Sequence, residues 1–330
     1  MRRRNFIALL GSAAVTWPLS ARAQGSGRIR RIGALMPEPE SDPESQARLT
    51  AFQQALSKLG WKVGGNLVID YRWEISNLER ARTATTELLA LGRDLILAGG
   101  TPAARAAKSA TSTIPVVFVA VSEPVAQGIV PSLAHPGGNL TGFSNLEPTF
   151  GPKWLELLKE IAPHVMRVAI MFNPDTAPYV IPFSRSVEAA APTFGVQAET
   201  ALIHGPAEIE AAVTKLTAGP AGGLIVPPDT YTSGHRKLII ELTARNRLPA
   251  IYALKFFALE DGLASYGTDL VDLFRKAAGY VDRILRGERP ADLAVQQPTQ
   301  FQLVINLKAA KAIGLDVPPM LLARADEVIE

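Results

Sequence analysis

Cysteine is absent from all 330 residues of this chain. Its absence excludes disulfide bonds, thiolate metal sites and a cysteine nucleophile. It also excludes the lipid-anchored form of an exported protein, which needs a cysteine directly after its signal. Long apolar runs are missing too, because no stretch beyond the N-terminal region approaches the roughly 20 residues of a membrane-spanning helix.

Motifs that carry catalytic or cofactor chemistry are also missing. The sequence contains no G-x-G-x-x-G, G-x-x-x-x-G-K-[ST], H-E-x-x-H or G-x-S-x-G pattern. Only four histidines occur, His135, His164, His204 and His235, and they do not have metal-ligand spacing. The sequence therefore predicts a protein that is not an enzyme and has no cofactor or metal. An exported α/β hydrolase stays the weakest alternative.

The first 23 residues have the three regions of a cleaved export signal. Residues 2–4 are all arginine, residues 6–17 form a short apolar run, and residues 21–23 form an A-x-A cleavage pattern. Residues 3–7 are similar to a twin-arginine signal but lack the usual Ser or Thr before the arginine pair. Both the twin-arginine and the general secretory route stay open. We expect a soluble periplasmic protein of a double-membraned bacterium.

The charge of the chain gives no sign of nucleic-acid binding. The whole chain has 34 Lys+Arg and 31 Asp+Glu, a net charge of +3. Residues 1–23 contain four of the arginines and no acid, so the rest has 30 basic and 31 acidic residues, a net of −1. No basic run with interleaved aromatic residues follows. The sequence therefore predicts no nucleic-acid partner.

Residues 94–124 read as one βαβ unit around a glycine-rich turn. A strand over residues 94–98 leads through Gly99 and Gly100 into a short helix, and a second strand covers residues 115–121. Thr101 suits the N-cap of the helix and Pro102 its first position. Ligands of parallel sheets bind at the carboxyl ends of strands, where the free amides of a helix start would face them.

The same alternation of strands and helices occurs twice, on either side of a turn-rich segment at residues 136–145. In the first series, a helix opened by Asp42 is expected to bury Leu49, Phe52, Leu56 and Leu59. The tail after residue 263 has too few elements for a third domain. The sequence therefore predicts an α/β protein with two Rossmann-like lobes, each built on a parallel sheet, with the tail completing both.

The predicted lobes are joined by three chain crossings, near residues 141, 264 and 297. They form a hinge, so the cleft between the lobes is the expected ligand site. The expected N-terminal lobe comprises residues 28–142 plus about 265–292, and the C-terminal lobe comprises residues 143–264 plus about 293–330.

Polar and aromatic residues follow several predicted strands and would face this cleft. Amides and hydroxyls suit a carboxylate, Glu123 or Asp229 an ammonium group, and aromatic rings an apolar side chain. Two plainer interpretations stay open: Asp229 caps the next helix, and Tyr179 or Tyr231 packs between the lobes. The candidate ligand-binding residues are Met36, Gly100, Thr101, Pro102, Ser122, Glu123, Ser144, Asn145, Asn173, Tyr179, Asp229, Tyr231 and Tyr252.

Several segments together resemble one protein family. They are residues 1–11, 99–103, 114–118, 136–142, 265–267, 301–306 and 321–329. With them the chain resembles ABC-transporter substrate-binding proteins of the type I periplasmic fold. More narrowly, it resembles a bacterial family with tryptophan- and tyrosine-binding members. The resemblance implies a monomer that binds a small-molecule ligand and docks on an ABC permease in the inner membrane.

Two positions depart from the pattern of this family. Glu123 replaces the usual Asp of an Asp-Pro-Val string, and Lys255-Phe256 replaces an Arg-Glu pair. Both changes lie near the expected hinge, so the resemblance does not fix the ligand. We expect a periplasmic solute-binding protein of an ABC importer that binds an amino acid or similar carboxylate. A ligand-sensing periplasmic module for a membrane receptor is the alternative.

Overall fold

A computed structural model of the protein describes residues 28–146, 150–219 and 221–330. The predicted export signal, residues 1–23, lies outside them. Within these residues the chain forms two α/β lobes, each around its own sheet. The predicted fold class is therefore confirmed. No helix in the described ranges is long and apolar enough to cross a membrane.

The first lobe contains a five-stranded parallel sheet with the order β2-β1-β3-β4-β5. Its strands are β1 (Arg30–Leu35), β2 (Leu67–Arg72), β3 (Leu95–Gly99), β4 (Val116–Val121) and β5 (Leu140–Ser144). The sequence indicated only turns at β5. Gly142 brings this edge strand against its neighbour, since a Cβ there would lie 2.0 Å from the carbonyl oxygen of Phe118.

The second lobe contains a seven-stranded sheet with the order β12-β11-β10-β9-β8-β6-β7. All neighbouring strands are parallel except β10 and β11. The strands are β6 (Arg167–Phe172), β7 (Gln197–Leu202), β8 (Gly222–Val226), β9 (Ala250–Tyr252), β10 (Ala264–Gly267), β11 (Gln302–Asn306) and β12 (Glu327–Ile329). The tail therefore supplies strands to this sheet, as expected.

Helices cover both faces of the sheets. They are α1 (Pro43–Lys58), α2 (Leu78–Ala90), α3 (Gly100–Ala110), α4 (Gly151–Ile161), α5 (Val180–Ala190), α6 (Pro206–Thr217), α7 (Thr230–Gly234), α8 (Arg236–Arg245), α9 (Lys255–Leu259), α10 (Leu270–Leu285), α11 (Leu307–Ala312) and α12 (Pro319–Leu322). Asp42 caps α1 as predicted. Thr101 is not a cap, because α3 already begins at Gly100 with Gly99 as its N-cap residue.

The buried face of α1 differs from the predicted one. Phe52 and Leu56 are buried, but Leu49 is only half-buried and Leu59 is exposed beyond the helix end. Arg48, one turn before Phe52, is buried instead. The helix is therefore rotated by part of a turn from the expected orientation, and this rotation places a charged residue inside the protein.

The tail links the two lobes. β10 pairs with β9 in the second sheet, so the chain leaves that sheet after Gly267, a few residues past the predicted crossing. α10 then packs on the first lobe, where Phe274 and Val281 join a core cluster with Ile32 and Phe52. The chain returns between Gln296, which still bridges Phe143, and the start of β11. The predicted lobe boundaries themselves stay a prediction.

Candidate functional site

A cavity lies between the two lobes, at the carboxyl ends of β1, β3 and β4 in the first and of β8 and β9 in the second. Its volume is about 40 Å³. Both lobes and the linking helix α10 contribute to its walls. The residues that line it are Pro37, Glu38, Arg48, Gly99, Gly100, Thr101, Ala120, Asn145, Tyr179, Pro228, Asp229, Thr230, Ser233, Leu254, Leu270 and Phe274.

The lobes contact each other beside this cavity. Arg236 of the second lobe binds Asp42 of the first, with 2.5 Å between Nη2 and Oδ2, and Glu260 of its own lobe at 2.8 Å. We call these three residues the interlobe latch. The hydroxyl of Thr230 also donates across the cleft to the carbonyl oxygen of Ser76 at 3.2 Å. These contacts hold the lobes in a closed arrangement.

Five of the thirteen candidate residues line the cavity. They are Gly100, Thr101, Asn145, Tyr179 and Asp229. Gly100 has a φ of 80°, which favours glycine, and lies at the start of α3. Ser122 lies directly behind Asn145 and donates to its side-chain oxygen at 2.7 Å. The turn after β3 and the ends of β4 and β5 thus form one wall of the cavity.

Asp229 is only 2% exposed, and its carboxylate is already surrounded by donors. It accepts the backbone amides of Asn173 and Tyr231, each at 3.0 Å, and the hydroxyl of Thr176. Burial raises its pKa, while these hydrogen bonds act in the opposite direction. Asp229 therefore caps α7 and joins it to the end of β6. Its predicted role as an ammonium ligand stays a prediction.

Tyr179 stands where the two lobes meet. Its hydroxyl donates to the carbonyl oxygen of Pro228 at 2.6 Å, and its ring lines the cavity. Burial, with a smaller effect of the nearby Asp229, raises the pKa of this phenol, while the hydroxyls of Ser122 and Thr101 act in the opposite direction. The group therefore stays neutral, and its hydrogen bond joins it to Pro228 of the same lobe.

Two candidates belong to a separate pocket. Glu123 and Ser144 line it together with Pro124, Leu146 and Gln297, close to the first and third chain crossings. Glu123 has a positive φ of 48°, so the loop after β4 turns sharply there. The structure therefore places Glu123, one of the two departures from the family pattern, beside the hinge and outside the cavity lining.

The remaining candidates lie outside the cavity lining. Met36 belongs to the first-lobe core, and Pro102 is buried in the first turn of α3. Asn173 holds Asp229 through its amide. Tyr231 stacks on His235, and Tyr252 is fully buried against Phe257, with its hydroxyl 3.1 Å from that of Thr243. Ligand contact stays a prediction for all thirteen residues.

Sequence reasoning missed the charged pair of the cavity wall, Glu38 and Arg48. Both are buried, at 5% and 1% exposure, and Arg48 Nη1 donates to Glu38 Oε2 at 2.7 Å. A signal was present, since Arg48 precedes Phe52 and Leu56 by one and two helical turns on α1. A basic residue in line with an apolar stripe is unusual enough to mark a candidate site.

A family model and a curated relative match most of the chain. The family described as ABC transporter substrate binding protein matches residues 39–329. A tyrosine-binding protein of Clostridioides difficile (strain R20291) is 27% identical over 284 residues, which cover 86% of this chain and 80% of that protein.

Solved structures give a further comparison. The ABC domain of Streptococcus pneumoniae in complex with L-Trp has a TM-score of 0.82 at 27% identity, covering 91% of this chain and 99% of its own. The ligand-free, open structure of a substrate-binding protein with adhesive properties from Clostridium difficile has a TM-score of 0.66, also at 27% identity, covering 92% and 99%. The lobes described here therefore lie closer to the ligand-bound arrangement than to the open one.

Proposed function

This chain belongs to the ABC transporter substrate-binding protein family, and we propose that it binds an amino acid or a similar small carboxylate between its two lobes. Binding and release are the whole of the proposed reaction, with no covalent step. The solute contacts both lobes only when they are closed, so its binding shifts the equilibrium toward the closed form.

The cavity between the lobes is the observation that supports this proposal most directly. Thr101 and Asn145 on one side and Tyr179 and Asp229 on the other all line it. A site divided between two lobes around a three-crossing hinge binds its ligand by closure. The latch and the Thr230 contact support a closed state with this geometry.

The composition of the cavity favours an amino acid with an apolar or aromatic side chain. Leu254, Leu270, Phe274 and the ring of Tyr179 offer apolar surface, while Arg48 supplies a positive charge. Such a mixture suits a small molecule with one charged end. The ligands named for the relatives, tyrosine and L-Trp, have this form.

A thermal-shift panel of amino acids, their uncharged analogues, sugars and purines tests the proposed function. A ligand at ~100 times its dissociation constant stabilises the folded form by about 2.7 kcal/mol, which raises the melting temperature of a chain of this length by a few degrees. We expect stabilisation by at least one amino acid. A panel without any stabilising compound, combined with no co-purified solute in native mass spectrometry, would contradict the proposal.

We further propose that the protein works as a monomer in the periplasm and delivers its solute to an ABC permease of the inner membrane. The signal-like sequence at residues 1–23 and the family support this location and partner. Cell fractionation of the full chain and of a chain without residues 1–23 tests it. We expect only the full chain in the periplasmic fraction, and equal distribution of the two chains would contradict the proposal.

A further inference from the structure

Arg48 has donors that the protein itself leaves unused. Its Nη1 donates to Glu38, whereas Nε and Nη2 are buried and have no hydrogen-bond partner in the part of the chain that the structure describes. A guanidinium group carries five N–H donors, and buried donors in folded proteins are nearly always satisfied. Arg93, which does not line the cavity, also has buried Nε and Nη1 atoms without a hydrogen-bond partner among the described residues, so the donors of Arg48 indicate a ligand only together with their place in the cavity wall.

The two unused donors are arranged to bind one carboxylate. Nε and Nη2 lie on one edge of the guanidinium plane and donate two parallel hydrogen bonds to the two oxygens of a carboxylate. Glu38 accepts from Nη1 and makes no hydrogen bond to this edge, whose two nitrogen atoms are buried. The ring of Phe256 lies 5.7 Å from the Arg48 Cζ, so the guanidinium is also held from its side.

Arg236, which lies near Arg48, is an arginine whose guanidinium donors are paired with acids of the protein itself. Its guanidinium lies 5.2 Å from the same Phe256 ring, but it binds two carboxylates, those of Asp42 and Glu260. Among the described residues, Arg48 forms one ion pair, with Glu38, and lines the cavity. The two arginines therefore have different roles, one closing the lobes and the other open to a ligand.

A second group of donors lies in the same cavity wall. α3 begins at Gly100 without a side-chain cap, so its first amides are not used by a side chain. The Thr101 hydroxyl is buried there and has no hydrogen bond of normal geometry among the described residues, although the Tyr179 hydroxyl lies close to it. Amides at a helix start favour an anion. Positive charge and free donors thus converge at one end of the cavity.

We propose that Arg48 binds the carboxylate of the solute through Nε and Nη2, and that Thr101 and the start of α3 complete this anion subsite. The inference rests on the proposed function and narrows it to solutes with one carboxylate. A second carboxylate on the solute would be repelled by Glu38 and Asp229, the two acidic residues that line the cavity. The expected ligands are therefore zwitterions or monocarboxylates, and dicarboxylates are excluded.

The ligand side of the proposal is tested with the unaltered protein. Calorimetry compares each of L-tyrosine, L-tryptophan, the other natural amino acids and small monocarboxylates with its own carboxamide. We expect the carboxylate to bind at least about 30-fold more tightly than its amide, because the amide cannot pair with the buried guanidinium. Equal binding of acid and amide overturns the inference but leaves the proposed function standing. Binding of uncharged solutes alone, or of none of these compounds, overturns the inference and the proposed function together.

Three variants test the protein side. Arg48→Lys keeps the charge but loses the planar fork, and Arg48→Gln loses both, so carboxylate affinity should fall about 10-fold or more in the first and further in the second. Glu38→Gln removes the competing acid and should keep or raise carboxylate affinity. Arg93→Gln is the matched control, because Arg93 is also buried beside an acid, Asp70, but does not line the cavity.

The direction of these effects separates a ligand anchor from a structural ion pair. If Arg48 served only to neutralise Glu38, then Arg48→Gln and Glu38→Gln would weaken binding alike, and the acid-to-amide ratio would not change in either variant. That result would overturn the inference. Melting temperatures of all variants show whether they are folded. If Arg48→Gln fails to fold, Arg48→Lys and the carboxamide comparison still distinguish a ligand anchor from a structural ion pair.

Discussion

At the scale of single residues, the cavity combines satisfied and unsatisfied polar groups. The Asp229 carboxylate accepts hydrogen bonds from backbone amides and a hydroxyl of its own lobe. Arg48 keeps two buried donors unused. Since a buried polar group without a partner costs free energy, the difference gives Asp229 a structural role and is the basis of the anion subsite proposed for Arg48.

Asp229→Ala tests the structural role of that carboxylate. The change removes the cap of α7 and leaves the buried amide of Asn173 without its acceptor, so we expect a loss of about 3 kcal/mol in unfolding free energy. Asn77→Ala is the matched control, because Asn77 caps α2 through a single exposed hydrogen bond, and its loss should be about 1 kcal/mol. Urea denaturation measures both, and equal losses would contradict the assignment.

Tyr71→Phe tests a titration in the first lobe. Burial raises the pKa of Tyr71 to about 12, while the hydrogen bond from Gln53 acts in the opposite direction. The folded state therefore holds this proton more tightly than the unfolded chain. The resulting stability is complete below about pH 10 and is lost as the pH rises toward 12. Above about pH 10, the unfolding free energy of the variant should fall less steeply with pH than that of the unaltered protein. The two slopes should differ by up to about 1.4 kcal/mol per pH unit, and equal slopes would contradict this.

At the scale of elements, the start of α3 decides how closely the lobes approach. Gly100 combines a positive φ with contact across the cleft, since a Cβ there would lie 3.1 Å from Thr230 Cγ2. The sequence indicated the glycine turn because glycine and proline frame the helix start. It did not show that the second lobe packs on this turn, because α7 reaches it only when the lobes are closed.

Gly100→Ala separates the backbone effect from the contact. The positive φ costs about 1 kcal/mol of stability with any side chain, and the new methyl group also presses on Thr230 and should weaken ligand binding. Gly92→Ala is the control, because Gly92 has a φ of 63° with no atom within 4 Å of the added Cβ. We expect similar losses of melting temperature in both variants but weaker solute binding in Gly100→Ala alone. Equal solute affinity in the two variants would contradict the role of this contact.

At the scale of the whole molecule, the interlobe latch joins two bodies that otherwise meet around a cavity. Asp42 has a double function, since Oδ1 caps α1 and Oδ2 binds Arg236 of the other lobe. Glu260 holds the same guanidinium from its own lobe. The latch therefore contributes to the closed state without lining the cavity, and its removal should act on the equilibrium between open and closed forms.

Asp42→Asn tests the latch while keeping an oxygen to cap α1. Without the charge across the cleft, the ligand-free protein should open more often, which raises its radius of gyration in small-angle X-ray scattering. The solute affinity should fall about 10-fold, because closure then costs more free energy. Glu260→Gln is the control, since it removes a partner within one lobe and should change the radius of gyration less. A radius of gyration for Asp42→Asn equal to that of the unaltered protein would contradict the latch.

The sequence by itself determined the two-lobed α/β fold and the family. Alternating strands and helices have periodicities that are visible locally, and the glycine turn at Gly99 and Gly100 is legible without coordinates. Only the tertiary structure decided which side chains meet in the cavity. Arg48 and Phe256 lie more than 200 residues apart, and a rotation of α1 by part of a turn places Arg48 inside instead of Leu49. The contacts between the two lobes and the rotation of α1 depend on packing across the whole molecule, and no local pattern encodes them.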